Sequence, residues 1–81
     1  MTSTNVDNLM LWIERSAFRH GVLENEIIHA LTHPLKHFEL EEIVMIIGPD
    51  LAGNILEIGV IERSDDLVVI HAMKARKEFF R

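Results

Sequence analysis

The chain contains no cysteine and no tyrosine, and it has only two prolines and one tryptophan among 81 residues. Without cysteine it can form no disulfide, thiol nucleophile or thiolate metal site. Its longest apolar runs are Ile43–Ile47 and Leu67–Ile70, far short of the roughly 20 residues that a membrane-spanning helix needs. The first residues also lack the basic start and apolar segment of a secretory signal. We therefore expect a cytoplasmic protein that does not bind a membrane.

Apolar residues make up 48% of the chain and charged residues 26%, which is typical of one small globular domain over residues 1–81. A core of this size is thin, so assembly into a homo-oligomer, in the simplest case a homodimer, would enlarge it. The net charge is −5. This balance argues against a protein that coats nucleic acid, because such binding needs a basic field.

The basic residues are concentrated at the C-terminal end. Residues 74–81 include four basic side chains and one acidic side chain, which gives this segment a charge of +3 and the first 73 residues a charge of −8. Three interpretations remain open. The cations complement the C-terminal dipole of a solvated helix, contact phosphate, or face a protein partner.

Two helices are predicted in the first half of the chain. The first covers residues 6–20 and ends before Gly21, a natural left-handed stop. The second covers residues 23–32 and ends before Pro34, which disfavours helical geometry in the residue before it. Together they form a helical hairpin. The first helix is predicted because five apolar residues recur at helical spacing: Val6, Leu9, Met10, Ile13 and Ala17.

Strands are predicted over residues 36–40, 43–47, 55–61 and 67–73, followed by a short helix over 75–81. The fold class is therefore α+β, with a two-helix hairpin packed on a sheet of three or four antiparallel strands. Segment 67–73 is apolar at nearly every position, so it is expected to be central or covered on both faces. The hairpin covers one face only. The terminal helix, through Phe79 and Phe80, or a second copy of the chain covers the other.

The chain has five histidines, and two of them have the spacing of a metal-binding pair. His29 and His33 are four residues apart, on one face of the predicted second helix. His37 continues the spacing, but Pro34 interrupts the helix before it. Since a structural zinc site needs four ligands, we expect no metal site, and nothing in the sequence calls for a cofactor.

His71 is the one ionisable residue in the last predicted strand. It is either a hydrogen-bonded structural residue or a general acid or base held in a cleft. Lys74 and Arg76 follow it and are suited to hold a phosphate. His71, Lys74 and Arg76 thus offer the minimal catalytic set of a metal-independent ribonuclease, and Arg19, His20 and Lys77 are candidates for further contacts to RNA phosphates.

Two short motifs resemble a known family. Arg19-His20-Gly21-Val22 closes the first predicted helix, and Glu26-Ile27 and Ala30 lie on the next. After the strands, Val69-Ile70 leads into His71-Ala72-Met73-Lys74-Ala75-Arg76-Lys77. Over roughly residues 15–77 the chain resembles the BrnT-type toxins of the RelE/ParE superfamily.

This resemblance implies a small ribonuclease that cleaves messenger RNA and is neutralised by a cognate antitoxin protein. It also implies a RelE/ParE-like fold, with a helical hairpin on an antiparallel sheet. The alternative is a non-catalytic protein-interaction module with the same fold, in a homodimer for example. Growth arrest on expression in a bacterial host would distinguish the ribonuclease from the module.

Overall fold

The computed structural model describes residues 1–6 and 8–79 of the chain. It contains six strands, one α-helix and two 3-10 turns. The strands are β1 (Thr2–Val6), β2 (Leu9–Ile13), β3 (Lys36–Glu39), β4 (Val44–Pro49), β5 (Ile55–Arg63) and β6 (Asp66–Lys74). The helix is α1 (Glu24–Thr32), and the 3-10 turns are Arg15–Phe18 and Lys77–Phe79.

All six strands form one mixed sheet in the order β1-β2-β6-β5-β4-β3. Strands β2 and β6 are parallel, and the other neighbours are antiparallel. The predicted architecture, a two-helix hairpin on three or four antiparallel strands, is therefore wrong. Strand β6 nevertheless lies inside the sheet, between β2 and β5, as its apolar sequence predicts.

The predicted helix over residues 6–20 is replaced by the hairpin β1–β2 and the first 3-10 turn. Val6 pairs with Leu9, and Asn8, directly before Leu9, takes a φ of 68°, a conformation that asparagine tolerates well. Alternation explains the error. Leu11 and Ile13 are buried on one face of the sheet while Trp12 points to the other, as in a strand. Val6, Leu9 and Ile13, however, also fit the stripe of a helix.

Helix α1 lies close to the predicted bounds of 23–32. The Glu26 carboxylate accepts a hydrogen bond from the Leu23 N–H at 2.8 Å, and this satisfies one of the unpaired donors at the helix start. Within residues 1–6 and 8–79, no helix is long and apolar enough to cross a membrane. The predicted terminal helix 75–81 is seen only as the 3-10 turn Lys77–Phe79, and Phe80 and Arg81 lie outside the described residues.

Helix α1 packs on one face of the sheet, which we call the α1 face. Close approach is possible because β4 carries Gly48 at the contact: a Cβ there would overlap the backbone carbonyl of Ala30. Ile58, in the middle of β5, has no exposed surface. The buried core of this face is formed by Leu11, Ile13, Ala17, Val22, Ile27, Ala30, Leu56, Ile58, Val60, Val69 and Ala72.

The opposite face has a smaller apolar cluster near one end of β4. Phe79, from the second 3-10 turn, is buried against Met45 and Ile47, with Phe38 and Ile55 at the side. From the sequence we expect the terminal helix, through Phe79 and Phe80, or a second copy of the chain to cover this face. Phe79 covers part of it, and Phe80 lies outside the described residues. The remainder of this face carries the candidate site.

Candidate functional site

A buried carboxylate lies in the middle of the sheet face opposite α1. Glu57 of β5 is opposite Met73 of β6, and Gly59, two residues further on, is opposite His71. Because side chains two residues apart in a strand point to the same face, Glu57 and His71 are neighbours. The Glu57 side chain has 0% exposed surface. A buried acid needs partners, since the cost of burying a lone charge is large.

Arg76 and His71 supply these partners. The His71 Nε2 lies 2.8 Å from Glu57 Oε2. The Arg76 Nη2 donates to the same oxygen at 2.8 Å, and its Nε lies 3.0 Å from Oε1 and 3.1 Å from Oε2. The Arg76 backbone N–H also donates to Oε1, at 2.9 Å. The carboxylate thus joins the end of β6 to the residues that follow it.

These contacts keep Glu57 ionised. Burial alone would raise the pKa of its carboxyl, but the Arg76 side chain and backbone, the His71 ring and the charge of Arg76 together lower that pKa below its ordinary value. In turn, the hydrogen bonds and charge of Glu57 raise the pKa of the Arg76 guanidinium. The pair is therefore a carboxylate and a cation in the folded protein.

An ionised Glu57 determines which nitrogen of His71 carries the proton in the neutral ring. A carboxylate can only accept, so Nε2 must be the donor and Nδ1 keeps its lone pair. Among the described residues, no hydrogen bond reaches Nδ1, and the side chain is 29% exposed. Gly59 makes room for the ring, because a Cβ at that position would lie 3.1 Å from the His71 Cβ.

The first 3-10 turn brings a second imidazole to His71. The Ser16 hydroxyl donates to the Ile70 carbonyl at 3.1 Å, which fixes the turn against β6. The chain then reverses at Gly21, whose φ is +81°. As a result, the centroids of the His20 and His71 rings lie 5.9 Å apart, with 72° between the ring planes. His20 is exposed at this position.

We call Glu57, His71, Arg76 and His20 the histidine cluster. It includes three of the residues that the sequence singled out: His71, Arg76 and His20. Within the described residues, the side chains of Lys74, Arg19 and Lys77 make no hydrogen bond, ion pair or ring contact with the cluster. All three are exposed, and the pairing of Lys74 with Leu56 puts Lys74 on the α1 face, away from His71.

Glu57 is not among the functional residues predicted from the sequence. The signal was present, because an acidic residue in the middle of the apolar run Ile55–Ile61 is expensive to bury. It falls on the same side of that strand as Gly59. What the sequence does not provide is the register that places this side of β5 against His71.

His29 and His33 are joined to backbone groups. Their rings stack with centroids 4.1 Å apart. The His29 Nδ1 lies 2.8 Å from the Pro49 carbonyl, and the His33 Nδ1 lies 2.9 Å from the His29 carbonyl. Across residues 1–6 and 8–79, no group of three or more histidine, aspartate or glutamate side chains is placed to hold a metal ion.

The depressed pKa of Glu57 predicts acid sensitivity. As the pH falls below the ordinary glutamate value of 4.5, the unfolded chain takes up a proton that the folded chain still excludes. The free energy of unfolding should therefore decrease over this range. In Glu57→Gln this part of the decrease should be absent, as measured by urea unfolding at pH 7 and pH 4.

The exposed residue Glu39 provides the matched control, and Glu39→Gln should keep the dependence of the unmodified protein. An equal loss of stability between pH 7 and pH 4 in Glu57→Gln and in the unmodified protein would contradict the proposed ionisation of Glu57. If Glu57→Gln fails to fold, Arg76→Gln gives a second test. Loss of the cation reduces the depression of the Glu57 pKa, so the acid-induced decrease should again become smaller.

In comparisons with protein-family models, curated proteins and solved structures, nothing matches the chain. The resemblance to BrnT-type toxins stays a prediction from two short motifs. The chemistry that the histidine cluster offers is therefore the main indication of a function.

Proposed function

We propose that the chain is a toxin-like, metal-independent endoribonuclease that cleaves messenger RNA in the cytoplasm. One observation carries the proposal: a half-buried histidine, held by a fully buried carboxylate, lies beside a second imidazole and an arginine. A structural histidine needs only one partner. The other two groups supply functions that RNA cleavage requires.

Cleavage begins with the ribose 2′-hydroxyl. The lone pair on His71 Nδ1 takes its proton while the 2′-oxygen attacks the adjacent phosphorus. The bond from phosphorus to the 5′-oxygen breaks, and protonated His20 gives that oxygen a proton. The products are a 2′,3′-cyclic phosphate and a free 5′-hydroxyl. With ring centroids 5.9 Å apart, the two imidazoles can flank one phosphate.

Arg76 provides positive charge for the pentavalent transition state. Its Nε and Nη2 are used by Glu57, but a guanidinium has five N–H groups. Nη1 makes no hydrogen bond within the described residues, and the side chain is 49% exposed. The group can therefore bind a phosphate oxygen while Glu57 fixes its orientation. In this mechanism Glu57 is a positioning residue, since it does not touch the substrate.

Expression in a bacterial host tests the proposal. The intact chain should arrest growth, and His71→Ala should relieve the arrest while circular dichroism shows an unchanged fold. His37→Ala is the matched control, because this exposed histidine lies on β3, outside the cluster. Its expression should still arrest growth. Coexpression of a cognate antitoxin, encoded in a neighbouring reading frame, should also relieve the arrest.

If the chain accumulates as folded protein and growth continues, the ribonuclease proposal fails. The non-catalytic interaction module then replaces it, and the histidine cluster has only a structural role.

A further inference from the structure

Helix α1 is too short to cover the sheet face on which it packs. Its nine residues span about 14 Å at 1.5 Å per residue. Strands β5 and β6 have nine residues each and span about 30 Å. Part of the α1 face is therefore left without a second layer. The strand register places the start of β4, the end of β5 and the start of β6 in that part.

A groove of about 570 Å³ occupies this uncovered area. We call it the open groove. Its floor is apolar and consists of Val44, Ile46, Val60 and Leu67. Through Ile46 and Leu67 it continues into a second cleft of about 160 Å³, between α1 and the β1–β2 hairpin. The two cavities are therefore neighbours on the α1 face, with apolar side chains between them.

Carboxylates line the outer part of the open groove. Glu39, Glu41, Glu42 and Glu62 are all exposed there. No lysine or arginine is among the described residues that line it. An apolar floor beneath four negative charges is complementary to a ligand that is apolar on one side and positively charged along its margins.

We propose that the open groove binds a basic amphipathic helix from a protein partner, laid beside α1 as the missing part of the helical layer. Apolar side chains at positions i, i+3, i+4 and i+7 of that helix fill the floor and the cleft. Lysine or arginine residues on its flanks pair with the four glutamates. A helix fits the gap because it extends the layer that α1 begins.

The charges of the protein disfavour two other occupants of the open groove. RNA is repelled, since its phosphates would face four carboxylates. A second copy of the chain would offer α1 as its helix, but that helix carries Glu24 and Glu26 and has no lysine or arginine. The open groove also lies on the sheet face opposite His71, so this inference does not depend on the ribonuclease proposal.

Two designed peptides test the inference with the full chain. The first is a helical peptide with a leucine stripe on one face and lysines elsewhere, and the second has glutamate in place of every lysine. Fluorescence anisotropy of labelled peptide should show saturable binding of the lysine peptide that weakens as salt is added. The glutamate peptide should not bind. Amide chemical shifts should change along β4 and at the start of β6.

Charge reversal locates the site. The double variant Glu42→Lys/Glu62→Lys should bind the lysine peptide about tenfold more weakly, because two attractive contacts become repulsive. Glu78→Lys, an exposed glutamate outside the groove, should bind with unchanged affinity, as should His71→Ala. Glu42, Glu62 and Glu78 are all exposed, so the charge-reversal variants should fold.

Three results would overturn the inference. These are failure of the lysine peptide to bind, equal binding of the two peptides, and binding of the lysine peptide to the double variant as tightly as to the unmodified chain. Concentration-dependent dimerisation that is abolished by the double variant would instead assign the groove to a second copy. Binding of single-stranded RNA that is weakened by Val44→Asp but not by His71→Ala would assign it to nucleic acid.

Discussion

Replacing His71 by alanine should lower the rate of RNA cleavage by about 10²–10⁴-fold, the range typical for removal of a general acid or base. Glu57 orients the His71 ring so that its Nδ1 keeps a lone pair. Alanine has no group that can accept a proton in its place. Initial rates on a short labelled RNA, measured with a chelator present, give the change directly. The loss of rate in His20→Ala should be in the same range, since this change removes the acid that protonates the leaving oxygen.

Two variants serve as controls for this measurement. His37→Ala should cleave at the unmodified rate, because that histidine lies on β3. Lys74→Ala should reduce the cleavage rate less than His71→Ala does. Lys74 lies on the α1 face and can contribute only through long-range charge. Residual activity in His71→Ala within a few-fold of the unmodified rate would remove His71 from the mechanism.

Replacing Ile58 by alanine should reduce the free energy of unfolding by about 2–5 kcal/mol, the range for truncating a fully buried isoleucine. Ile58 has no exposed surface and lies at the centre of the core of the α1 face. Alanine would leave a cavity that the sheet and α1 cannot fill, because both are fixed by neighbouring contacts. Urea unfolding monitored by circular dichroism measures the loss.

The matched variant is Ile61→Ala, in the same strand on the opposite face, where the side chain is half-buried. Its loss should be clearly smaller, since water already reaches part of the removed surface. A loss below about 0.5 kcal/mol in Ile58→Ala would mean that β5 does not present this side chain to the core.

Much of the second half of the fold can be read from local patterns. Pro34 ends α1. Each of the last two strands shows a single clear pattern, which is alternation in β5 and a continuous apolar run in β6. The first 20 residues, in contrast, fit two different periods. Leu9, Leu11 and Ile13 satisfy the period of a strand, while Val6, Leu9 and Ile13 satisfy that of a helix, and only tertiary pairing decides between them.

The decisive pairing is nonlocal. Strand β2 aligns Trp12 with Val68 of β6 in parallel, and the Trp12 indole N–H donates to Asp66 at 3.0 Å. Partners separated by more than 50 residues leave no local signal in the sequence. This pairing converts the expected helix into a strand, raises the strand number to six and leaves one α-helix in the described part of the chain.

In the candidate site, too, some residues can be predicted from the local sequence and others depend on nonlocal pairing. His71 and Arg76 stand out in the sequence because each is a polar residue close to an apolar strand. Their common partner Glu57 and the approach of His20 depend on the β5–β6 register and on the turn anchored by Ser16. Ile70, which ends the apolar run Leu67–Ile70, is half-buried, and the irregularity at Gly59/Val60 shifts the register at this point.

Cleavage of RNA by the purified chain tests the central claim most directly. A synthetic RNA is incubated with the protein and a chelator, and the product ends are identified by mass spectrometry. The mechanism predicts 2′,3′-cyclic phosphate and 5′-hydroxyl ends, and full resistance of the same RNA with 2′-O-methyl groups, since the attacking hydroxyl is then blocked. RNA that stays intact in the presence of folded protein, or 2′-O-methyl RNA that is cleaved at the same rate, would contradict the proposed function.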